Sequence, residues 1–201
     1  YGMLYYIRPL FFYEMDEESG SFSTRWNCKA STFWRLTKTI QTVFEYMEVT
    51  MENGFYALMS RMRNISRWNL MRNTFEDNVQ GHSHMVAVLA HGLALIRRDI
   101  LGLDAEPDRA AVAGLFHDAP WILTGDMPTP VKYFNPELMN AYKQVEQISA
   151  KKLISLLPEQ LRASYLDAFL IPDEQTKRLV KAADKLSGYI KCVEELRAGN
   201  E

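Results

Sequence analysis

His117 and Asp118 stand side by side in an otherwise apolar segment, AAVAGLFHDAPWIL. Such a pair is hard to explain as packing and reads as two metal ligands, provided that partners exist elsewhere in the chain. Successive residues on a helix point about 100° apart, so both can hold one ion only if it lies between their directions, against a neighbouring helix that brings further ligands. The sequence offers His82 upstream and Asp184 downstream. Two neutral imidazoles and two carboxylates form a mixed nitrogen and oxygen shell suited to cobalt, manganese or zinc, with room for water. Water on such an ion can be a nucleophile.

The elements that must position these residues read as helices. Phe55, Leu58, Met59 and Met62 recur at helical spacing, and Thr74-Phe75-Glu76-Asp77 resembles a capping box ahead of a helix running to about Ile100. In that helix Met85, Val86, Leu89, Leu93 and Ile96 form one stripe, with His82 on its axis and His84 and His91 on the opposite, solvent-facing side. On pattern alone His82 reads either as a hydrogen-bonded core histidine or as a ligand. The next helix starts near Pro107-Asp108 and is apolar nearly all round, which predicts burial. Its small residues Ala110, Ala113 and Gly114 lie on the His117 side and would let a neighbouring backbone approach.

Pro128 and Pro130 enforce a loop, and Asn135-Pro136-Glu137 reads as a helix start. Segments of about 136–157 and 158–170 follow, and a last helix begins near Asp173. Leu179, Ala183, Leu186, Ile190 and Val193 form its stripe, with Asp184 about 140° from the centre by the same angular count. On pattern alone Asp184 is a solvated partner of Lys181 or Lys177. No strand-like alternation of useful length occurs after residue 50, so the expected architecture is an all-α bundle with a polar site at its centre.

A length of 201 residues fits one domain with an appended segment, and a 47% hydrophobic content allows a core without covalent staples. Cys28 and Cys192 are two isolated thiols without a C-x-x-C pair or a secretory signal, which points to a reducing, cytoplasmic setting. The aromatic run Tyr1 to Tyr13 is interrupted by Arg8 and Pro9 and is too short to span a bilayer. A formal net charge of -2 argues against general nucleic-acid binding. The local cluster of Arg61, Arg63, Arg67 and Arg72 around Trp68 reads as a strand-binding patch, as a solvated basic helix end, or as a site in which only Arg67 and Trp68 face a ligand.

Three longer stretches add specificity: Ser66 to Asn73 (SRWNLMRN), Asn78 to Ser83 (NVQGHS), and His117-Asp118 continuing into Leu123 to Asn135 (LTGDMPTPVKYFN). With Lys181 to Asp184 and Tyr189 to Leu196, they resemble the HD-domain phosphohydrolases, and within them the bacterial 5'-deoxynucleotidases, from about Gly54 onward. The resemblance implies an HD-domain helical bundle over residues 51–201, truncated at its C-terminal end, with residues 1–50 as an unassigned extension. It also implies removal of the 5'-phosphate from deoxyribonucleoside 5'-monophosphates.

By the same resemblance one divalent ion is held by His82, His117, Asp118 and Asp184, and the last assignment rests on nothing else. Arg67 would orient the phosphate and, with Asp118, serve catalysis. Trp68 would crowd the sugar 2' position, and the loop Asp126-Met127-Pro128-Thr129 would hold the sugar, while His82, Asp118 and Asp184 also face the substrate. Guanidinium matches phosphate oxygens in a fork, and a carboxylate accepts a sugar hydroxyl. The expected partner is a deoxyribonucleoside monophosphate rather than a nucleic acid or a membrane, with a homodimer left open.

Two positions depart from the family pattern. Where the family has His-Asp-Ala-Ser-Glu, this chain has His117-Asp118-Ala119-Pro120-Trp121, so a glutamate associated with proton transfer is replaced by an indole without acid–base function. Gly81 stands where a glutamate commonly precedes the first histidine. Trp121 is accordingly expected to leave binding intact while slowing hydrolysis, and Trp121→Glu to raise turnover. The alternative is a nucleotide-binding homologue with little catalysis; an RNA-binding module is a third reading.

Overall fold

The computed structural model describes Glu14–Met15, Phe22–Ser23 and residues 54–171 and 173–200. The chain divides into two units, Tyr1–Tyr46 and Met47–Glu201. In the first, β1 (Glu14–Met15) pairs antiparallel with β2 (Phe22–Ser23). The remaining expectations for residues 1–50, Cys28 included, lie outside the described residues.

The described elements of the second unit are helices joined by loops, as the sequence pattern predicts. α1 (Phe55–Met59) runs into a 3-10 turn, Ser60–Asn64. α2 (Val79–Leu95) starts at Asn78, whose side chain accepts from the Gly81 N–H at 2.9 Å, and it ends in a π-turn, Ile96–Ile100. The expected capping box at Thr74 is not the start. The Thr74 and Phe75 N–H groups instead donate to the Glu195 carboxylate at 2.8 and 3.1 Å, because the distant helix carrying Glu195 lies against this loop. α3 (Pro107–Phe116) has proline in its first turn, where no N–H is needed.

α4 (Trp121–Thr124) and α5 (Thr129–Lys132) are single turns. α6 (Pro136–Ser155) is capped by Asn135, which accepts from the Leu138 N–H at 2.6 Å. α7 (Glu159–Leu170) and α8 (Glu174–Arg197) complete the order, and Asp173 caps α8 through the Thr176 N–H at 2.7 Å. No helix among the described residues is long and apolar enough to cross a membrane.

α2, α3 and α8 pack through small side chains. Val86, Ala90, Ala94, Ala105, Ala110, Ala113, Val180 and Ala183 form one buried cluster. The tightest approach is at Gly114, where an added Cβ would lie 2.7 Å from the Ala87 Cα. Only glycine fits there, since real Cβ contacts never come so close to a backbone.

This packing keeps part of both predicted stripes, with Val86 and Ala183 buried and Leu89, Leu93 and Leu179 packed against the seam, but shifts the centre of burial toward smaller residues. On α2 the buried arc runs through Val79, His82, Ser83, Val86, Ala87, Ala90 and Ala94, while Met85 and Ile96 are 40% and 47% exposed. On α8 it runs through Thr176, Val180, Ala183 and Ser187, with Leu186 on the exposed side. Helices that approach closely bury their smallest residues at the seam and leave longer ones at the rim. The rotation brings Asp184 to the edge of the buried face instead of far from it. α3 is likewise buried on one face only, with Val112 and Leu115 exposed.

A second cluster is built from large residues of α1, α4, α6, α7 and the turn between α6 and α7, among them Phe55, Ile122, Leu153, Ile154, Leu157 and Phe169. Phe116 stacks on Phe169 with ring centroids 5.2 Å apart, and Tyr165 meets Phe55 edge-on. Each fully buried side chain of this size contributes roughly 1.5–3 kcal/mol.

Candidate metal centre

The alanine seam delivers four side chains to one point. His82 projects from the first turn of α2, His117 and Asp118 follow the end of α3, and Asp184 comes from the middle of α8. The Asp118 Oδ2 lies 3.1 Å from the His117 Nε2 and 3.5 Å from the His82 Nε2. The Asp184 Oδ1 lies 3.1 Å from the His82 Nε2. Ligand atoms of His82, His117 and Asp118 all fall within 4.8 Å of one another, a spacing that fits a single ion. Asp184 joins through His82 and is the most exposed of the four, with a side chain 44% accessible.

The other ring nitrogens decide the tautomers. The His117 Nδ1 donates to the Gly114 carbonyl at 2.8 Å, which leaves the lone pair on Nε2. The His82 Nδ1 meets the Ser187 hydroxyl at 3.1 Å. Both Nε2 atoms are buried and face only the Asp118 and Asp184 carboxylates, without a well-aligned hydrogen bond. Two orphaned imidazole nitrogens aimed at the same carboxylate are what a divalent cation requires, because outer partners on Nδ1 orient the ring for coordination through Nε2.

The electrostatics agree with this arrangement. Burial opposes charge on His117, but the negative charge of Asp118 and its hydrogen bond outweigh burial and raise the imidazole above its ordinary range. Burial also works against ionised Asp184, yet the hydrogen bond from His82, with the nearby charges of His117 and Arg67, holds it below the usual carboxylate range. A proton and a metal ion compete for the same imidazole lone pair.

A cleft of about 160 Å³ has Arg67, Trp68, Leu70 and Met71 on one side and Asp126, Pro128 and Thr129 on the other; none of the four convergent residues lines it, but the charges of Asp118 and His82 act on Asp126 at its edge. Met127 is not among its lining residues. The first wall is held by a short antiparallel bridge between Ser66 and Asn78 and by the Arg67 N–H donating to the Asp77 carbonyl at 3.0 Å. A single oxygen, the Asp77 Oδ2, accepts from the Arg67 Nη1 at 2.7 Å and from the Trp68 Nε1 at 3.0 Å. Trp68 has a left-handed backbone, φ 61°, which costs a residue with a Cβ roughly 1–2 kcal/mol.

Burial pushes the Asp126 carboxyl up; Arg67 opposes this and Asp118 reinforces it. Arg61 and Arg63 are exposed on the 3-10 turn and Arg72 donates to Asn200, so of the four arginines only Arg67 lines the cleft. Asp77 and Ser187 were not marked by any sequence motif as site residues, since their partners are nine or more positions away.

Trp121 does not share a helix face with His117. The helix stops at Phe116, residues 117–120 form a turn, and the indole Nε1 donates to Glu146 on α6 at 3.0 Å.

Residues 54–201 match the family model described as 5'-deoxynucleotidase YfbR-like. The chain is 46% identical over 152 residues to the 5'-deoxynucleotidase YfbR of Shigella boydii, covering 74% of this chain and 76% of that one. It is 47% identical over 150 residues to the 5'-deoxynucleotidase of Erwinia tasmaniensis, with 73% and 75% covered. In fold it resembles an HD-domain phosphohydrolase from Listeria innocua, with a TM-score of 0.65 at 23% identity over 73% of this chain and 70% of that one. The helical bundle, the convergent histidines and aspartates and these matches agree: the chain belongs to the YfbR-like 5'-deoxynucleotidase family.

Proposed function

We propose that this protein hydrolyses deoxyribonucleoside 5'-monophosphates to nucleoside and phosphate with the help of one divalent metal ion. The observation that carries the reading is the convergence of two orphaned imidazole nitrogens and the Asp118 carboxylate beside the cleft of Arg67, Trp68 and Asp126. His82, His117, Asp118 and Asp184 would hold the ion, with cobalt, manganese or zinc suited to the donor set. When bound, such an ion polarises the phosphate and supplies an activated water.

The chain's own residues do the rest. Arg67 offers a guanidinium to phosphate oxygens, and Asp77 holds it in place. Asp118, whose charge reaches Asp126 at the cleft, would help align the phosphate. Trp68 crowds the sugar at its 2' position, which favours deoxyribose. The loop Asp126-Met127-Pro128-Thr129 holds the sugar, with the Asp126 carboxylate accepting a hydroxyl.

Residues 51–201 are taken as the HD domain, with residues 1–50 as an extension of unassigned role, and the setting as cytoplasmic. Sedimentation of the full chain tests the open expectation of a homodimer.

Turnover of deoxynucleoside monophosphates with added cobalt or manganese is the direct test, paired with calorimetric titration of a deoxynucleotide and its ribo counterpart. Turnover with a preference for the deoxy form is expected. Equal affinity for both would remove the role given to Trp68. Tight binding without turnover would favour a second reading, a nucleotide-binding homologue with little catalysis, which the indole at position 121 supports. Binding of RNA that weakens steeply with salt in a filter assay would instead favour a nucleic-acid module.

A further inference from the structure

Lys132 closes a small network that none of the roles above uses. Its ammonium donates to the Glu146 Oε1 at 3.0 Å and lies 5.7 Å from the Trp121 ring centroid and 4.8 Å from that of Tyr142. The same Glu146 oxygen accepts from the Trp121 Nε1 at 3.0 Å. Lys132 and Glu146 side chains are only 20% and 23% exposed. A partly desolvated cation with one carboxylate and two aromatic faces is held more firmly than a surface ion pair.

The network reaches both ends of the substrate loop. Tyr142 and Glu146 are four residues apart on α6 and share a face. At one end of the loop the Tyr142 hydroxyl donates to the Gly125 carbonyl at 3.3 Å, and the Gly125 N–H donates to the Trp121 carbonyl at 2.7 Å. At the other end stands Lys132. Asp126, Pro128 and Thr129, which line the cleft, lie between these two anchors.

We propose that Trp121 is a positioning residue: with Lys132, Tyr142 and Glu146 it locks the loop of residues 125–132 and thereby sets the affinity of the cleft for its nucleotide. The proposal rests on the function proposed above and gives the indole a task in binding instead of leaving the position vacant. It also changes what Trp121→Glu should do, because that variant sets a second carboxylate beside a single ammonium and removes one aromatic wall.

The test compares full-length wild type with Trp121→Phe and Trp121→Leu. It measures KM and kcat on a deoxynucleoside monophosphate, bound metal, and amide hydrogen exchange across residues 125–132. Loss of the indole bond and the ring face in Trp121→Leu should raise KM about ten-fold, with kcat and metal content nearly unchanged. Trp121→Phe keeps a ring face and should fall between, and exchange in the loop should quicken in the same order. If Trp121→Leu fails to fold, Lys132→Met removes the ammonium and should reproduce the rise in KM and the faster exchange. Unchanged KM and exchange in a folded variant would overturn the proposal, as would a fall in kcat with KM untouched. A wild type that neither turns over nor binds nucleotide would sink the functional reading and with it the effect on affinity, and hydrogen exchange alone would then decide whether Trp121 locks the loop.

Discussion

The two sides of the cleft are built by different means. On the metal side, three long helices meet through alanines and one glycine, and main-chain approach sets where the ligands stand. On the substrate side, single-turn helices and a proline loop are held by side-chain bonds that cross to α6. The first construction tolerates almost no change of volume. The second tolerates volume but depends on a few polar groups, so one substitution acts on ion occupancy and another on nucleotide affinity.

The largest effect expected is from His117→Ala, which removes a ligand from the helix seam. Bound metal should fall to background by elemental analysis, with turnover lower by on the order of 10²-fold or more. Asp184→Ala, at the exposed edge, should also lose metal. Full retention of metal in both folded variants would break the assignment.

Arg67→Ala belongs to the other wall. It should leave metal content intact and weaken deoxy and ribo monophosphates alike by roughly ten- to hundred-fold in calorimetry, since it loses a charge-assisted bond to the phosphate that they share. A change in the deoxy to ribo ratio would mean that Arg67 touches the sugar.

Two glycines sharpen the contrast at smaller magnitude. Gly114→Ala places a Cβ against the Ala87 backbone and should destabilise the fold by about 1–3 kcal/mol in denaturant unfolding, with weaker metal binding. Gly125 has open space around it but a φ of 75° with ψ 171°, so Gly125→Ala should cost about 1–3 kcal/mol and raise KM without affecting metal. Equal effects of the two on metal would erase the distinction.

The smallest effect expected concerns Glu195, which ties the loop at Thr74 and Phe75 to α8. Its hydrogen bond from Lys191, then those from the Thr74 N–H and Asn200, hold its carboxyl far below the usual range. A carboxyl depressed in the folded state stabilises above its unfolded value of about 4.3 and loses that contribution as pH falls through the folded value. Glu195→Gln should therefore lower Tm at neutral pH, and the gap should narrow on acidification below about pH 4. A gap independent of pH would point to packing instead of charge.

Legibility in the sequence divides along the same line. The caps Asn135 and Asp173, the proline that starts α3 and the small residues facing His117 are local signals, and the structure follows them. The stripes of α2 and α8 were right for Val86, Leu89, Leu93, Leu179 and Ala183 but misplaced their centres, because hydrophobicity weights leucine and methionine, whereas a close helix crossing buries alanine, serine and glycine. Thr74 looked like a cap because its pattern is local, while its N–H answers a carboxylate 121 residues away. The approach of Asp184 to His82 has no signal in the helical pattern, and a ligand role for it is suggested by family resemblance alone; the contacts of Trp121 depend on Glu146, 25 positions downstream, for which helical spacing offers no signal.

The contact of Gly114 with Ala87 has a consequence for how such a protein can vary. Because the distance between the helices that carry His82 and precede His117 is set by two backbones touching, the spacing of the two histidines does not depend on which side chains furnish the pocket beyond it. An indole at position 121 can then shape the pocket without moving the histidines. The seam works as a chassis, and the fittings around it are free to diverge.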